Sequence, residues 1–249
     1  MTTRIAILGD LHGNLRATEA ALAAIDAERP GLTLCLGDLV GYGAHPNEVI
    51  DRIRARNIPV LMGNYDDGVG FDRDDCGCAY RDEGERERGQ QSLLWTRAAV
   101  SDDRKAWLRT LPFDWRGEAH GVRVRAVHGS PRRINEYLFE DRDPASLERI
   151  ATGADCDVLL FGHTHKPWTR EIGGVRFVNA GSAGKPKDGD PRACWALLTI
   201  GDDGEIEVEY RREAYDAAAE AAAIRLAGLP NAFAEALETG GAQAPAGRA

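Results

Sequence analysis

The sequence predicts an α/β fold in which a mainly parallel sheet is covered by helices. Three observations carry this. Within the first 66 residues, a short apolar run, a polar turn and a helix-length segment follow one another repeatedly. Four apolar runs end in glycine followed by aspartate, asparagine or histidine, so polar groups gather at strand carboxyl ends, where open α/β sheets build their sites. The 249 residues, 43% of them hydrophobic, suffice for one large core, or one core with a small appendage.

Residues 4–8 read as a first strand, ending in Gly9-Asp10-Leu11-His12-Gly13-Asn14. A helix over 15–29 follows, with Leu15, Leu22 and Ile25 on one stripe, and Pro30-Gly31 stops it. Residues 32–36 form a second strand that ends in Gly37-Asp38-Leu39-Val40-Gly41. The helix over 46–56 turns Val49, Ile50 and Ile53 inward, and a third strand over 58–62 ends in the turn Gly63-Asn64-Tyr65-Asp66. Residues 67–89 read as a polar loop containing Cys76-Gly77-Cys78 and a charge run, leading into a helix near 90–99. Ser101 caps a further helix carrying Trp107, Leu108 and Leu111.

Strands over 114–119 and 122–127 meet near His120-Gly121, and the second ends in His128-Gly129-Ser130-Pro131. A polar stretch over 132–143 with the aromatic pair Tyr137 and Phe139, which either lies over a site or forms a surface loop, leads to a helix over 144–152. Residues 158–161 form a buried strand from which Gly162-His163-Thr164-His165 emerges. Strands over 175–178 and 193–200 follow, and 205–210 pairs back through Gly201-Asp202-Asp203-Gly204. Helices over 214–226 and 231–238 complete the chain. The expected organisation is one domain over 1–212, a helical extension over 213–239 packed on it, and a disordered tail over 240–249.

Composition narrows the functional classes. Five cysteines, an odd number without a scaffold spacing, argue against a disulfide-built secreted domain. No apolar run approaches a membrane span, and the first residues lack a signal-peptide core, so a cytoplasmic protein without a membrane partner is expected. A formal charge of -9 disfavours stable binding to a nucleic-acid backbone. It leaves room for a phosphate substrate, because metal ions supply positive charge locally.

The polar groups at five strand ends are metal-ligand types: Asp10 and His12, Asp38, Asn64, His128, and His163 with His165. Neutral imidazoles suit zinc, manganese, iron and nickel, and an aspartate shared by two ions is an economical way to hold them about 3.5–4 Å apart. Cys76 and Cys78 make an incomplete zinc site by themselves and read as a loop or interface element near the site mouth, with a redox pair as the alternative. Cys35, Cys156 and Cys194 read as core, and Lys185 and Lys187 as solvated loop residues.

Asp10-x-His12, Gly37-Asp38-x-x-Gly41, Gly63-Asn64-x-Asp66, His128-Gly129 and Gly162-His163-x-His165, in this order, resemble the calcineurin-like metallophosphoesterase family. Within it, the chain is similar to a branch of small bacterial and archaeal phosphodiesterases. The resemblance implies a four-layer α/β/β/α sandwich with a two-metal site between the sheets. It assigns Asp10, His12 and His165 to the first metal, Asn64, His128 and His163 to the second, and Asp38 to both. The implied cofactors are two divalent ions, manganese foremost, with iron, zinc, nickel or cobalt as alternatives, and a bridging hydroxide as nucleophile.

The third motif departs from the family pattern. Many members carry histidine where this chain has Tyr65, and a tyrosine is a poorer acid near neutral pH. Esters with poor leaving groups are therefore expected to react weakly. This favours a phosphodiesterase or pyrophosphohydrolase acting on a small nucleotide, such as a dinucleoside polyphosphate or a cyclic nucleotide. A phosphomonoesterase of the serine/threonine protein phosphatase kind, or a metal-bound sensor or scaffold with vestigial activity, are the alternatives. Asp66 would orient Tyr65, bind backbone or close the turn. Arg132 and Arg133 are candidate phosphate contacts. The helix over 214–226 either packs along the sheet edge or forms a homodimer.

Overall fold

The computed structural model describes residues 2–241 and shows two sheets packed face to face, with helices on both outer faces. The first sheet has strand order β2-β1-β8-β9, with β1 Thr3–Leu8, β2 Leu32–Cys35, β8 Ala193–Ile200 and β9 Ile206–Glu213. The second has order β3-β4-β5-β7-β6, with β3 Asp114–Ala119, β4 Val122–Val127, β5 Val158–Phe161, β6 Trp168–Ile172 and β7 Val175–Asn179.

The alternation of side chains along a strand explains the layering. Ile5 and Ile7 of β1 meet Leu34, Val124, Val158, Leu160 and Leu198 between the sheets. Ala6 and Leu8 face the other way, onto α1 Leu15–Glu28 and α2 Pro46–Ala55 through Leu22, Ile25, Val49 and Ile53. On the far side, Leu159 and Phe161 of β5 pack with Phe177 against Leu147 and Ile150 of α6 Pro144–Ala154. The result is the expected α/β/β/α sandwich. The single, mainly parallel sheet read from strand order is replaced by two mixed sheets. The pairings β1–β2, β4–β5 and β5–β7 are parallel, and the other four pairs are antiparallel.

Four local expectations change. The third strand over 58–62 is reduced to a bridge between Cys35 and Val60. Pro59 offers no N–H to a ladder, and the Met62 N–H turns away to the Pro112 carbonyl, 2.8 Å off. The turn at Gly63 opens a short helix, α3 Asn64–Gly70. The charge run is already helical: α4 Glu83–Ala99 starts at Asp82, whose side chain accepts the Glu85 N–H at 2.8 Å. Arg86 pairs with Glu83 on its first turns. Strand β6 was not anticipated, since Trp168–Ile172 carries three polar residues and pairs only at the sheet edge with β7.

Ser101 stands at the N-cap of α5 Asp102–Leu108, without a capping hydrogen bond from its side chain. At the chain end, α7 Ala217–Leu226 and α8 Asn231–Thr239 form a hairpin that buries Ile224, Leu229, Phe233 and Leu237 against Tyr42 and Trp95. Glu220 of α7 is fully buried and binds Arg16 at 2.9 Å and His45 at 2.8 Å, which joins the hairpin to the body. Of the expected tail, Gly240 caps α8 and accepts the Gly189 N–H at 2.9 Å. Residues 242–249 lie outside the described residues. Among the described residues, no helix is long and apolar enough to cross a membrane.

Candidate metal centre

The ligand-type residues stand on the adjoining carboxyl ends of strands from both sheets. Asp10 and His12 follow β1 and Asp38 follows β2, while His128 follows β4 and His163 and His165 follow β5. Asn64 is the first residue of α3. Asp10, His12, Asp38, His163 and His165 all have positive φ, between 47° and 66°. Such backbone costs on the order of 1–3 kcal/mol per residue and persists only where the surroundings enforce it. Here they do: Asp10 N–H binds the Gly37 carbonyl at 2.9 Å, His12 N–H that of Asp38 at 2.9 Å, and His163 N–H the Asp10 carboxylate at 3.1 Å. A Cβ on Gly63 would lie 2.1 Å from Asp38 Oδ1, so only glycine leaves that carboxylate its place.

Two buried groups result. Asp10, His12 and His165 offer ligand atoms within 4.8 Å of one another, and so do Asp38, His128 and His163. Asp38 Oδ2 links them, 3.6 Å from His12 Nε2 and 3.5 Å from His128 Nε2. Asn64 Oδ1 is 3.1 Å from His128 Nε2.

The residues fit a pair of cations on several independent grounds. Nδ1 of His12, His128 and His165 lies 3.0, 2.8 and 2.6 Å from the carbonyls of Val40, Leu36 and Lys185. A carbonyl only accepts, so each Nδ1 carries the proton and each Nε2 presents a lone pair inward. Two such lone pairs face each other across 3.1 Å, at His12 and His165. Among the described residues, Asp10 Oδ1 and His163 Nε2 are buried without a hydrogen-bond partner. Burial holds His12, His163 and His165 well below the ordinary imidazole range, so all three are neutral. Burial also raises Asp10 to about 7, and raises Asp38 well above the carboxylate range with help from the Asp66 charge. Buried carboxylates, bare imidazole nitrogens and unpartnered atoms are what bound cations would satisfy.

The surroundings supply the rest. Both oxygens of Asp66 accept backbone N–H groups, from Asp38 and Gly63 at 2.8 and 3.0 Å and from Leu39 at 3.0 Å. Of the three roles expected for it, the geometry displays two: it binds backbone, and through the Gly63 N–H it closes the turn that opens α3. Asn179 Nδ2 donates to the Gly162 carbonyl at 2.9 Å, and Ser182 Oγ to that of Asp10 at 2.7 Å. Tyr65 is buried, with its ring 4.6 Å from Tyr42 and 5.7 Å from His12. Among the described residues, its hydroxyl lacks a close hydrogen-bond partner.

A groove of about 620 Å³ borders the centre, lined among others by Tyr42, Tyr80, Tyr137, Phe233, Lys185 and Lys187. The Tyr137 ring lies 4.0 Å from His163 and the Tyr42 ring 4.9 Å from His12. Lys185 and Lys187, expected in solvent, are drawn into the groove wall. Lys185 Nζ sits 4.4 Å over the Tyr42 ring, and burial lowers the pKa of both amines. Arg132 and Arg133 are exposed outside the groove lining, and Arg132 is tied to Glu136. Of the lining aromatics, Tyr137 stands in a stretch expected over a site, whereas Tyr42 and Phe233 had no local signature, because only packing brings their separate elements together.

Four layers with two Asp/His clusters at the adjoining ends of facing sheets are the architecture of a metallophosphoesterase. The chain belongs to the calcineurin-like phosphoesterase superfamily, whose domain model matches residues 3–203. It is 30% identical over 230 residues to an uncharacterized protein of Methanocaldococcus jannaschii, covering 85% of this chain and 88% of that one. It is 24% identical over 205 residues to phosphodiesterase YfcE of Escherichia coli, covering 78% of this chain and 86% of that one. The crystal structure of a metallophosphoesterase from Sphaerobacter thermophilus aligns with a TM-score of 0.74 at 28% identity, over 96% of this chain and 100% of that one.

Proposed function

We propose that this protein hydrolyses small phosphodiesters or phosphoanhydrides, with nucleotides such as dinucleoside polyphosphates or cyclic nucleotides as the substrate class. The observation that carries the reading is Asp38 Oδ2, which stands 3.6 Å from His12 and 3.5 Å from His128 and so belongs to both clusters. Asp10, His12 and His165 would hold one divalent ion, Asn64, His128 and His163 the other, and Asp38 both. Manganese suits the mixed oxygen and nitrogen set, as do iron, zinc, nickel and cobalt. Two bound ions would supply activated water and neutralise charge on the phosphoryl group.

The chain's own residues supply position and selectivity. The three Nδ1–carbonyl hydrogen bonds fix each ring so that Nε2 faces the centre. Lys185 and Lys187 present N–H donors to a phosphate group from the groove side. Tyr42, Tyr137 and Phe233 offer ring faces to an aromatic substituent of the ester. A groove of about 620 Å³ is far larger than a phosphate group needs, which favours a substrate with a substantial second substituent. Tyr65 is assigned a hydrogen-bonding part beside the centre, and leaving groups that depart without protonation are preferred.

The test is turnover by the manganese-loaded protein of aryl diesters, cyclic nucleotides, dinucleoside polyphosphates and phosphopeptides. The expected result is highest kcat/KM on a diester or anhydride, abolished in Asp38→Asn. Phosphopeptide turnover above every diester, or activity that survives Asp38→Asn unchanged, overturns the proposal.

A further inference from the structure

We propose that Cys76 and Cys78 form a thiol–disulfide modification site that governs how Asn64 is presented to the second Asp/His cluster. The inference rests on the reading of Asn64 as a ligand of that cluster. Its ground is a set of contacts that the proposed hydrolysis does not use. Both cysteines are free, and their sulfurs lie 3.2 Å apart. Gly77 between them has φ +68°, the left-handed bend that turns both side chains to the same side. The Asn64 amide nitrogen donates to the Cys76 carbonyl at 3.1 Å and to Cys78 Sγ at 3.3 Å. These two contacts set the amide so that its oxygen faces His128, 3.1 Å away. The cysteine loop therefore decides which end of Asn64 points at the centre.

The loop backbone is pinned independently of the sulfurs. Gly77 N–H donates to Asp75 at 2.6 Å, the Gly77 carbonyl accepts from Asn135 at 3.0 Å, and Ala79 N–H meets the Tyr137 hydroxyl at 3.3 Å. A disulfide requires the sulfurs to close to about 2.05 Å. With the backbone held, that movement falls on the side chains and draws Cys78 Sγ off the Asn64 amide. Cys78 lines the groove, whereas Cys76 is 6% exposed. A small disulfide entering the groove thus meets Cys78 first. Cys78 sulfur attacks it, forms a mixed disulfide and releases one thiol. Cys76 sulfur then displaces the second thiol. Two protein thiols and one small disulfide become one protein disulfide and two small thiols, which carry away both protons and both electrons.

The test uses the full chain loaded with manganese and treated with oxidised glutathione. Intact mass is expected to fall by two hydrogens, with peptide mapping placing the bond at Cys76–Cys78, and Cys35, Cys156 and Cys194 as buried internal controls. Calorimetric titration is expected to show the second manganese site weakened about 10- to 100-fold, the range for a lost contact supporting a metal ligand, and restored by dithiothreitol. Cys78→Ser, which lacks the attacking sulfur, is expected to make that affinity insensitive to oxidised glutathione. Absence of the bond in the wild type overturns the inference, as does a bond that leaves manganese affinity unchanged, or a Cys78→Ser variant that responds like the wild type. A reduced protein that binds no manganese overturns the metal reading as well, which separates the two failures.

Discussion

The carboxylate of Asp66 closes on the backbone of Asp38, accepting its N–H at 2.8 Å through Oδ2 while Oδ1 takes the N–H of Leu39 at 3.0 Å. Oδ2 also accepts the Gly63 N–H at 3.0 Å, so one side chain ties the loop after β2 to the start of α3. In return, the Tyr65 N–H donates to Asp38 Oδ1 at 2.8 Å. The position of Asp38, with its φ of 53°, is thus held from residues 63 to 66.

Asp66→Ala is expected to cost about 3 kcal/mol, since an unsatisfied buried N–H costs roughly 1–3 kcal/mol and relaxation recovers part of the three lost contacts. Metal affinity should fall with stability, because the loop carrying Asp38 loses its anchor. Urea denaturation and manganese titration of the same variant check both. Unchanged stability would remove Asp66 from the support of the site.

Tyr65→Phe deletes a buried hydroxyl that lacks a close hydrogen-bond partner among the described residues. Stability is expected to hold within about 1 kcal/mol or to rise slightly, because an unsatisfied polar atom is removed. Turnover of aryl diesters should stay within about threefold, with any larger loss confined to esters with alkoxide leaving groups. A loss of two orders of magnitude on aryl diesters would make the Tyr65 hydroxyl essential to the chemistry.

Glu220→Ala removes the buried acceptor of Arg16 and His45. The expected loss is about 2–3 kcal/mol, below the usual range for a broken buried pair because Arg16 is 41% exposed and regains water. Since α8 carries Phe233 into the groove, the same change should speed hydrogen exchange in α7 and α8 and raise KM more than it lowers kcat. Exchange rates unchanged in both helices would show that the hairpin is held by its apolar contacts alone.

Glu136 gives a pH signature away from the metal ligands. Its burial opposes ionisation, but hydrogen bonds from Arg132, Ser130 and Arg142 outweigh it and hold the carboxyl down to about 2, from 4.5. A depressed carboxylate pKa stabilises the fold above the unfolded value and loses that contribution as pH falls through the folded one. Between about pH 4.5 and 2 this group should therefore contribute a progressive loss, on the order of 1–2 kcal/mol after allowing for solvent screening at the half-exposed Arg132. Glu136→Gln should flatten the acid limb by that amount in denaturation curves from pH 5 to 2.5. Parallel curves for the two proteins would contradict this.

Much of this protein was legible along the chain because its strands and ligands are local features. An apolar run such as Val158–Phe161 marks a buried strand by composition alone, and the glycine after it marks the turn from which His163 and His165 emerge. Motif order added the family and the sandwich. Other features depended on pairing and packing at a distance. The apolar faces of β1 and β5 chose each other and made two sheets, and the segment around Pro59 contributed one bridge where a strand was expected. Tertiary structure alone brought Lys185, Lys187 and Phe233 to one groove and buried the Asp/His clusters away from water. Residue type determines which groups can bind a cation, but desolvation and convergence, which raise Asp10 to about 7 and strip the imidazoles of charge, exist only once the two sheets have closed.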